Sequence, residues 1–476
     1  MRRAIIFLAT ATFIHHAAFA QEQIGLHFDN YAASSGMLLN PAATFASPNW
    51  WEINLVSAGA FAHNNYSYLQ HQSVLSALHA SMSSSVADPQ AGFNLPDKVK
   101  AYSLNFVQGP SGFIKLNHFT IGIFTDTRAA TAVISDQTTP ALPTSLVYSD
   151  QTYEIPPFKQ AAMSWSEVGL NAGMKIRETK NSSLSAAINV KYLAGWGADF
   201  FQNDTYFNFI KITHQQIVNV DRFDATYGYT SNFGNSSFGL FPPMSGKGVG
   251  ADVGMIYTAG AKKDGKYAWK LGASIVDAGS IHFSRNASTY SVVSNGELSP
   301  TVHDLSAVST LSDLNALAST LVYGNAAASQ TGNDFSITLP TAAVFQVERA
   351  VGKNFYLGAV TVNRVALAQH SIYRPNMVAL IPRYESKWFA ATVPVELFDY
   401  NDVHAGVAVR VGPLTIGSDD FLSWVMKGKL KGSDAYVGLR IFPFGKNAKE
   451  VSASPSQNAR SYHSKNKSRG NGCPSF

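Results

Sequence analysis

Residues 164–193 read SWSEVGLNAGMKIRETKNSSLSAAINVKYL, and their alternation decides the fold class. Successive side chains of an extended chain point to opposite sides. Val168, Leu170, Ala172, Met174 and Ile176 therefore share one face, and Glu167, Gly169, Asn171, Gly173, Lys175 and Arg177 share the other. After a polar turn, Leu184, Ala186, Ile188, Val190 and Tyr192 alternate with Ser185, Ala187, Asn189 and Lys191, so the stretch predicts a β-hairpin. A second hairpin follows the same rule, with Val253, Met255 and Tyr257 before a Lys-rich turn and Trp269, Leu271, Ala273 and Ile275 after it.

Alternation suits a soluble sandwich or propeller as well as a membrane barrel. Other features favour the barrel. The strands run to about 10 residues or more, enough to cross a bilayer at a tilt. Aromatics gather near strand ends (Trp165, Tyr192, Trp196, Tyr267, Trp269, Trp388, Phe389), as interfacial girdles do. Charged residues are 14% of the chain, against about 25% in ordinary soluble domains.

The expected strands are 52–62, 99–108, 113–127, 164–177, 184–193, 248–261, 266–278, 339–349, 354–365, 386–398, 403–417 and 434–444. Their gaps alternate long and short. Outer-membrane barrels show the same alternation, with short periplasmic turns, long external loops and both termini periplasmic. An all-β, transmembrane antiparallel β-barrel of about 12–14 strands with an N-terminal plug segment is expected. The stretch 200–241 is the place expected to hide a further strand pair. Gly412-Pro413 is read as a bulge inside a long strand. Leu305, Val308, Leu311, Leu314, Leu317 and Leu321 show helical spacing in an external loop, as do Leu75, Leu78 and Met82.

The ends of the chain read differently. Arg2 and Arg3, the apolar run 4–14 and Ala18-Phe19-Ala20 predict a signal peptide over 1–20, cleaved after Ala20. Segment 21–50 contains Gly36-Met37-Leu38-Leu39-Asn40-Pro41-Ala42-Ala43, a turn-forming piece suited to filling a lumen. The barrel is expected over 51–445, and 446–476 as a disordered, basic periplasmic tail that carries the single cysteine, Cys473. The net charge is +5. Removing the +2 of Arg2 and Arg3 and the +5 of the tail leaves 21–445 at −2, so the body offers nucleic acid no basic footprint.

No catalytic constellation, cofactor or metal site is expected. The histidines are scattered, and His71 and His79 lie two helical turns apart, more than a ligand pair needs. Gly246-Lys247-Gly248-Val249-Gly250 looks like a phosphate loop, but it enters a strand, so its glycines read as relief of crowding at a wall. Glu167, Lys175, Arg177, Asp252, Lys270 and Glu348 fall on inward faces as candidate lumenal residues. There they form either a structural network or a path for a ligand.

Short motifs along the mature chain resemble a group of Bacteroidota outer-membrane barrels of unassigned activity, similar in plan to FadL-type transporters of hydrophobic compounds. They include His27-Phe28-Asp29-Asn30-Tyr31, Asn40-Pro41-Ala42, Trp165-Ser166-Glu167-Val168, Gly250-Ala251-Asp252-Val253-Gly254 and Gly412-Pro413-Leu414-Thr415-Ile416-Gly417-Ser418. The resemblance implies a plug role for Asn40, Pro41 and Ala42, and passive uptake of a small hydrophobic compound across outer-membrane lipid. Barrels of type IX secretion systems share the plan. They imply the alternative, a non-transporting barrel that docks a secretion or cell-surface protein.

Overall fold

The computed structural model describes residues 23–82, 90–94, 96–135, 152–212, 217–233, 243–261, 266–308, 310–368 and 370–443. The expected signal peptide, the basic tail and Cys473 lie outside them. The chain forms a closed, 14-strand antiparallel barrel. Its strands are β1 (Trp51–Asn64), β2 (99–116), β3 (Phe119–Ser135), β4 (Phe158–Glu178), β5 (Ser182–Asn203), β6 (223–230 and 246–259) and β7 (269–283 and 287–294). The circuit continues through β8 (330–350, in pieces), β9 (Phe355–Arg364), β10 (Met377–Glu385), β11 (389–398), β12 (402–411), β13 (Leu414–Ser418) and β14 (Gly432–Ile441). It closes where β14 pairs with β1, from Ile53 opposite Ile441 to His63 opposite Gly432.

The two faces of 164–193 settle what the barrel is turned toward. Leu170 is 61% exposed and Val190 56%, whereas Glu167 and Asn171 are each 1% exposed. A soluble sandwich buries its apolar face; this wall presents it outward and keeps its charges inside, as a lipid-facing barrel does. Tyr192, Trp269, Trp388 and Phe389 also point outward. Trp165 and Tyr267, expected in the girdle, instead lie buried inside: Trp165 shares the inward parity of Glu167, whereas Tyr267 precedes β7 and its hydroxyl is held by Asn30 and Glu348.

The strand count corrects the expected partition in three places. Residues 99–116 are one strand, bulged at Gly109-Pro110, and the chain turns at Asn117-His118. Segment 377–385, expected as loop, is a strand, paired from Val362–Met377 to Phe355–Tyr384. Gly412-Pro413 is a tight turn, with Val411 opposite Leu414, so 403–417 is two strands. Gly412 takes φ +56°, the left-handed conformation that a hairpin turn of this kind asks of its first central residue. The expected turn at 399–402 consequently moves to the long-loop rim and interrupts the alternation of long and short gaps. The added pair thus comes from 366–417 and not from 200–241. Within that stretch, Ser182–Asn203 prolongs β5, Phe223–Thr230 belongs to β6, and Phe207–Ile212 and Ile217–Asp221 join Thr152–Ile155 in a separate three-stranded sheet.

Short helices α1 (Ile24–His27), α2 (Ala33–Gly36) and α3 (Ala43–Ala46) precede the barrel, and their residues are almost all buried. The helical spacings become α4 (Val74–Met82), α5 (Val302–Ala307) and α6 (Leu311–Tyr323) on the long-loop side; α7 (Phe421–Val425) follows β13. Gly246–Ala259 is strand throughout, as the phosphate-loop lookalike was read.

Candidate functional site

Residues 23–50 lie inside the barrel, and inward side chains satisfy their backbone. The Asn189 amide donates to the Met37 carbonyl (2.9 Å), the Ser274 hydroxyl to Leu39 (2.7 Å) and the Asn171 amide to Pro41 (3.0 Å). Asn40 closes its own turn by accepting from the Ala42 N–H (3.0 Å) and donates to the Met255 carbonyl (3.3 Å). Gly254 permits this approach, since a Cβ there would fall 2.3 Å from Asn40 Oδ1 and 2.8 Å from Pro41 Cδ.

Two buried ionic networks cross the lumen. Asp277 anchors the first: Arg128 (3.0 Å), Lys191 (2.7 Å) and Arg374 (3.3 Å) all reach its carboxylate. Arg128 also pairs with Glu167 (3.0 Å) and Asp126 (2.6 Å), and Lys191 with Asp252 (2.9 Å). A bulge in the β6–β7 ladder, with φ +56° at Asp277, turns that carboxylate into the lumen. In the second network Arg383 pairs with Glu348 (2.8 Å) and Glu385 (3.0 Å), and Lys270 lies 3.6 Å from Glu348. The Asn30 side chain ties this network to the N-terminal segment through Glu385 (3.1 Å) and Tyr267 (2.7 Å), and Asp29 pairs with Arg410. An unpaired buried charge costs several kcal/mol, so these partners hold the charges in place only as sets.

Of the six inward candidates, Glu167 and Asp252 meet in the first network and Lys270 and Glu348 in the second. Lys175 and Arg177 join neither: Lys175 pairs with Glu178 (2.8 Å) at the strand end and Arg177 is exposed. Sequence reasoning passed over Arg128, Arg383, Arg410 and Asp277. Lys191 stood on the inward face by parity, which was the available signal.

Toward the long-loop rim the lining turns aromatic. Phe61, Tyr102, Trp165, Phe200, Phe283, Phe335 and Phe398 form one buried cluster. Residues 370–376 dip into this mouth, where Tyr373 stacks on Tyr102 (5.1 Å) and His370 lies against Phe200 (4.1 Å). Phe200, Phe201, His370 and Tyr373 line a cavity of about 50 Å³ beside Lys159 and Arg364. The aromatic run continues from Tyr102 to Phe398, whose ring faces His63 (4.8 Å) and His404 (5.3 Å).

There the wall itself is incomplete. β13 stops at Ser418, whereas β12 continues to Asp402 paired with β11, and β14 continues to Gly432 paired with β1. Among the described residues no strand fills the interval between 402–405 and 432–435, a gap of roughly 13 Å at a strand's rise per residue. Helix α7 spans it, packing on β12 and β14. The Trp424 indole donates to the Asp434 carbonyl (2.9 Å), and the Asp434 carboxylate accepts from the N–H groups of Asp419 (2.6 Å) and Asp420 (2.7 Å). Asp419 in turn accepts from the Ile24 N–H (2.9 Å) and the Tyr436 hydroxyl (2.8 Å). Two carboxylates in series, Asp434 and Asp419, thus join the helix over the gap to the start of the N-terminal segment.

A family profile described as "Family of unknown function (DUF5723)" matches residues 41–419. No curated protein sequence matches the chain. Among solved structures, a "TodX deltaS2S3 mutant monoaromatic hydrocarbon channel" is 8% identical with a TM-score of 0.41, covering 86% of this chain and 94% of that one. A Pseudomonas aeruginosa FadL homologue is 9% identical at 0.22, over 89% and 98%. The outer membrane protease OmpT from Escherichia coli is 7% identical at 0.21, over 83% and 95%. Scores this low carry nothing about activity.

Proposed function

The chain belongs to this family of unknown function, DUF5723, and we propose that it is an outer-membrane barrel through which a small hydrophobic compound enters passively. In this reading, residues 23–50, with Asn40, Pro41 and Ala42 at their turn, are a plug. The compound enters at the aromatic mouth and leaves sideways, under α7, into the membrane. The gap between β12 and β14 carries the proposal. It is where the hydrogen-bonded wall lapses, and it adjoins the aromatic run. The axial route is closed by the plug and both ionic networks, where an apolar solute would have to displace paired charges. The long loops face outward and both termini the periplasm, with the signal peptide removed after Ala20.

The test is entry of a nonpolar fluorophore into cells that produce the barrel, compared with cells that lack it. The wild-type barrel raises the rate, and Trp424→Ala, which frees α7 from Asp434, raises it further. Equal rates with and without the barrel sink the proposal. They would instead support a docking barrel for a secretion or surface protein, a reading favoured by the ionic networks packed across the lumen and by the separate sheet of 152–155, 207–212 and 217–221.

A further inference from the structure

Helices α4 and α7 stand side by side at the long-loop rim, and an open cleft of about 520 Å³ separates them. Gln72, Ser73, Leu75, His79, Val425 and Lys427 line it. Both helices leave large apolar side chains uncovered: Leu75, Leu78 and Met82 on α4, and Phe421, Leu422 and Val425 on α7, followed by Met426. These faces continue the lipid-facing belt, since Val403 of β12 is 71% exposed and Ile416 of β13 57%, and α7 packs beside 402–405. Beyond the apolar stretch come the lysines. Lys100 is paired with Asp399 (2.5 Å) and Lys431 with Asp402 (2.6 Å). Lys427 is exposed at the lip of the cleft with no acidic partner among the described residues.

An apolar floor that runs into the belt, edged by an uncompensated ammonium, an imidazole and hydroxyl and amide groups, matches an amphiphile with an anionic head. We propose that this cleft binds a phospholipid of the surrounding leaflet whose head carries net negative charge. Its acyl chain lies on Leu75 and Val425, and its phosphate meets Lys427 and His79. Binding here would hold α7 by its outer face, whereas Trp424 and Asp434 hold it by its inner face. The site depends on the barrel's lying in a membrane and not on transport.

Native mass spectrometry of the full chain released from nanodiscs of mixed phosphatidylglycerol and phosphatidylcholine tests it. Phosphatidylglycerol should be retained over phosphatidylcholine by about fivefold, the scale of one lysine's attraction at a membrane surface. Lys427→Glu abolishes that preference, and Leu75→Ser with Val425→Ser lowers retention of both lipids. Millimolar inorganic phosphate leaves the lipid in place. Equal retention of the two lipids, or a preference unchanged in Lys427→Glu, overturns the proposal. Displacement by free phosphate also overturns it, since the site would then hold an ion and not a lipid. Each variant is first checked for the folded barrel by its heat-modifiable gel mobility. Lys427→Gln replaces the glutamate variant if that fails, with loss of the preference again expected.

Discussion

Asp277 balances three cations, and the strand pattern hides it. Trp269, Leu271, Ala273 and Ile275 point outward, so strict alternation sends residue 277 toward lipid as well. The extra residue between the pairs Val253–Ile275 and Ala251–Ala278 reverses the parity. From there on Ile281 and Phe283 are the buried ones, and Asp277 is 3% exposed. A bulge is set by hydrogen bonds to the neighbouring strand, which no single segment's pattern records. Lys191 and Asn189, on a stretch of β5 in unbroken register with β4, were legible for the opposite reason. Replacing Asp277 with Ala leaves Arg128, Lys191 and Arg374 short of a partner, and the expected loss is about 3–5 kcal/mol. Urea unfolding in detergent micelles measures it. Lys175→Met, at an exposed pair, should change stability by less than about 1 kcal/mol.

Two Gly-Pro pairs show where element boundaries stop being readable. Gly109-Pro110 interrupts β2 without ending it: the Gly109 N–H donates to the Thr125 carbonyl (2.9 Å), and the Asn54 amide caps the Gly109 carbonyl (3.3 Å). Gly412-Pro413 ends β12. The same dipeptide serves both uses because proline forbids a donor in either, and only the partners on each side decide. Pro382 concealed β10 in the same way, although it lies in register opposite Leu357. Gly412→Ala should cost about 1–2 kcal/mol, the penalty of a left-handed non-glycine residue, seen as a lower urea midpoint. The loop helices respond to pH instead. In α5 the Thr301 side chain and N–H bond to Asp304, and these hydrogen bonds hold its carboxyl below the ordinary 3.8. A depressed carboxylate stabilises the fold above its unfolded value and ceases to do so as pH falls through its folded one. Measured against the intrinsic rate at each pH, the amides of 302–307 should therefore lose protection from exchange on acidification below 3.8, and that loss should be absent in Asp304→Asn.

At the scale of the molecule, the closure that makes a barrel also fixes which rim each turn occupies. A partition into 12 strands and one into 14 both return the chain to its starting rim, so an even count alone does not separate them. They differ in the last third of the circuit. With β10 restored and 403–417 divided, the turn at 399–401 crosses to the long-loop rim and the turn at 412–413 becomes a short-rim turn. Asp399 and Tyr400 both adopt positive φ, at 47° and 57°, so the chain reverses tightly even on the rim where the other connections are long. With the long loops outward, a small epitope inserted after Tyr400 is reached by antibody on intact cells, as is one at Ala327 in the loop that follows α6. An epitope at Gly412 is reached only after the outer membrane is breached. Labelling of Gly412 on intact cells, with Tyr400 protected, would return β10 to the loops and undo the gap beside β13. Protection of both Tyr400 and Ala327, with Gly412 exposed, would keep the barrel as it stands and invert it in the membrane.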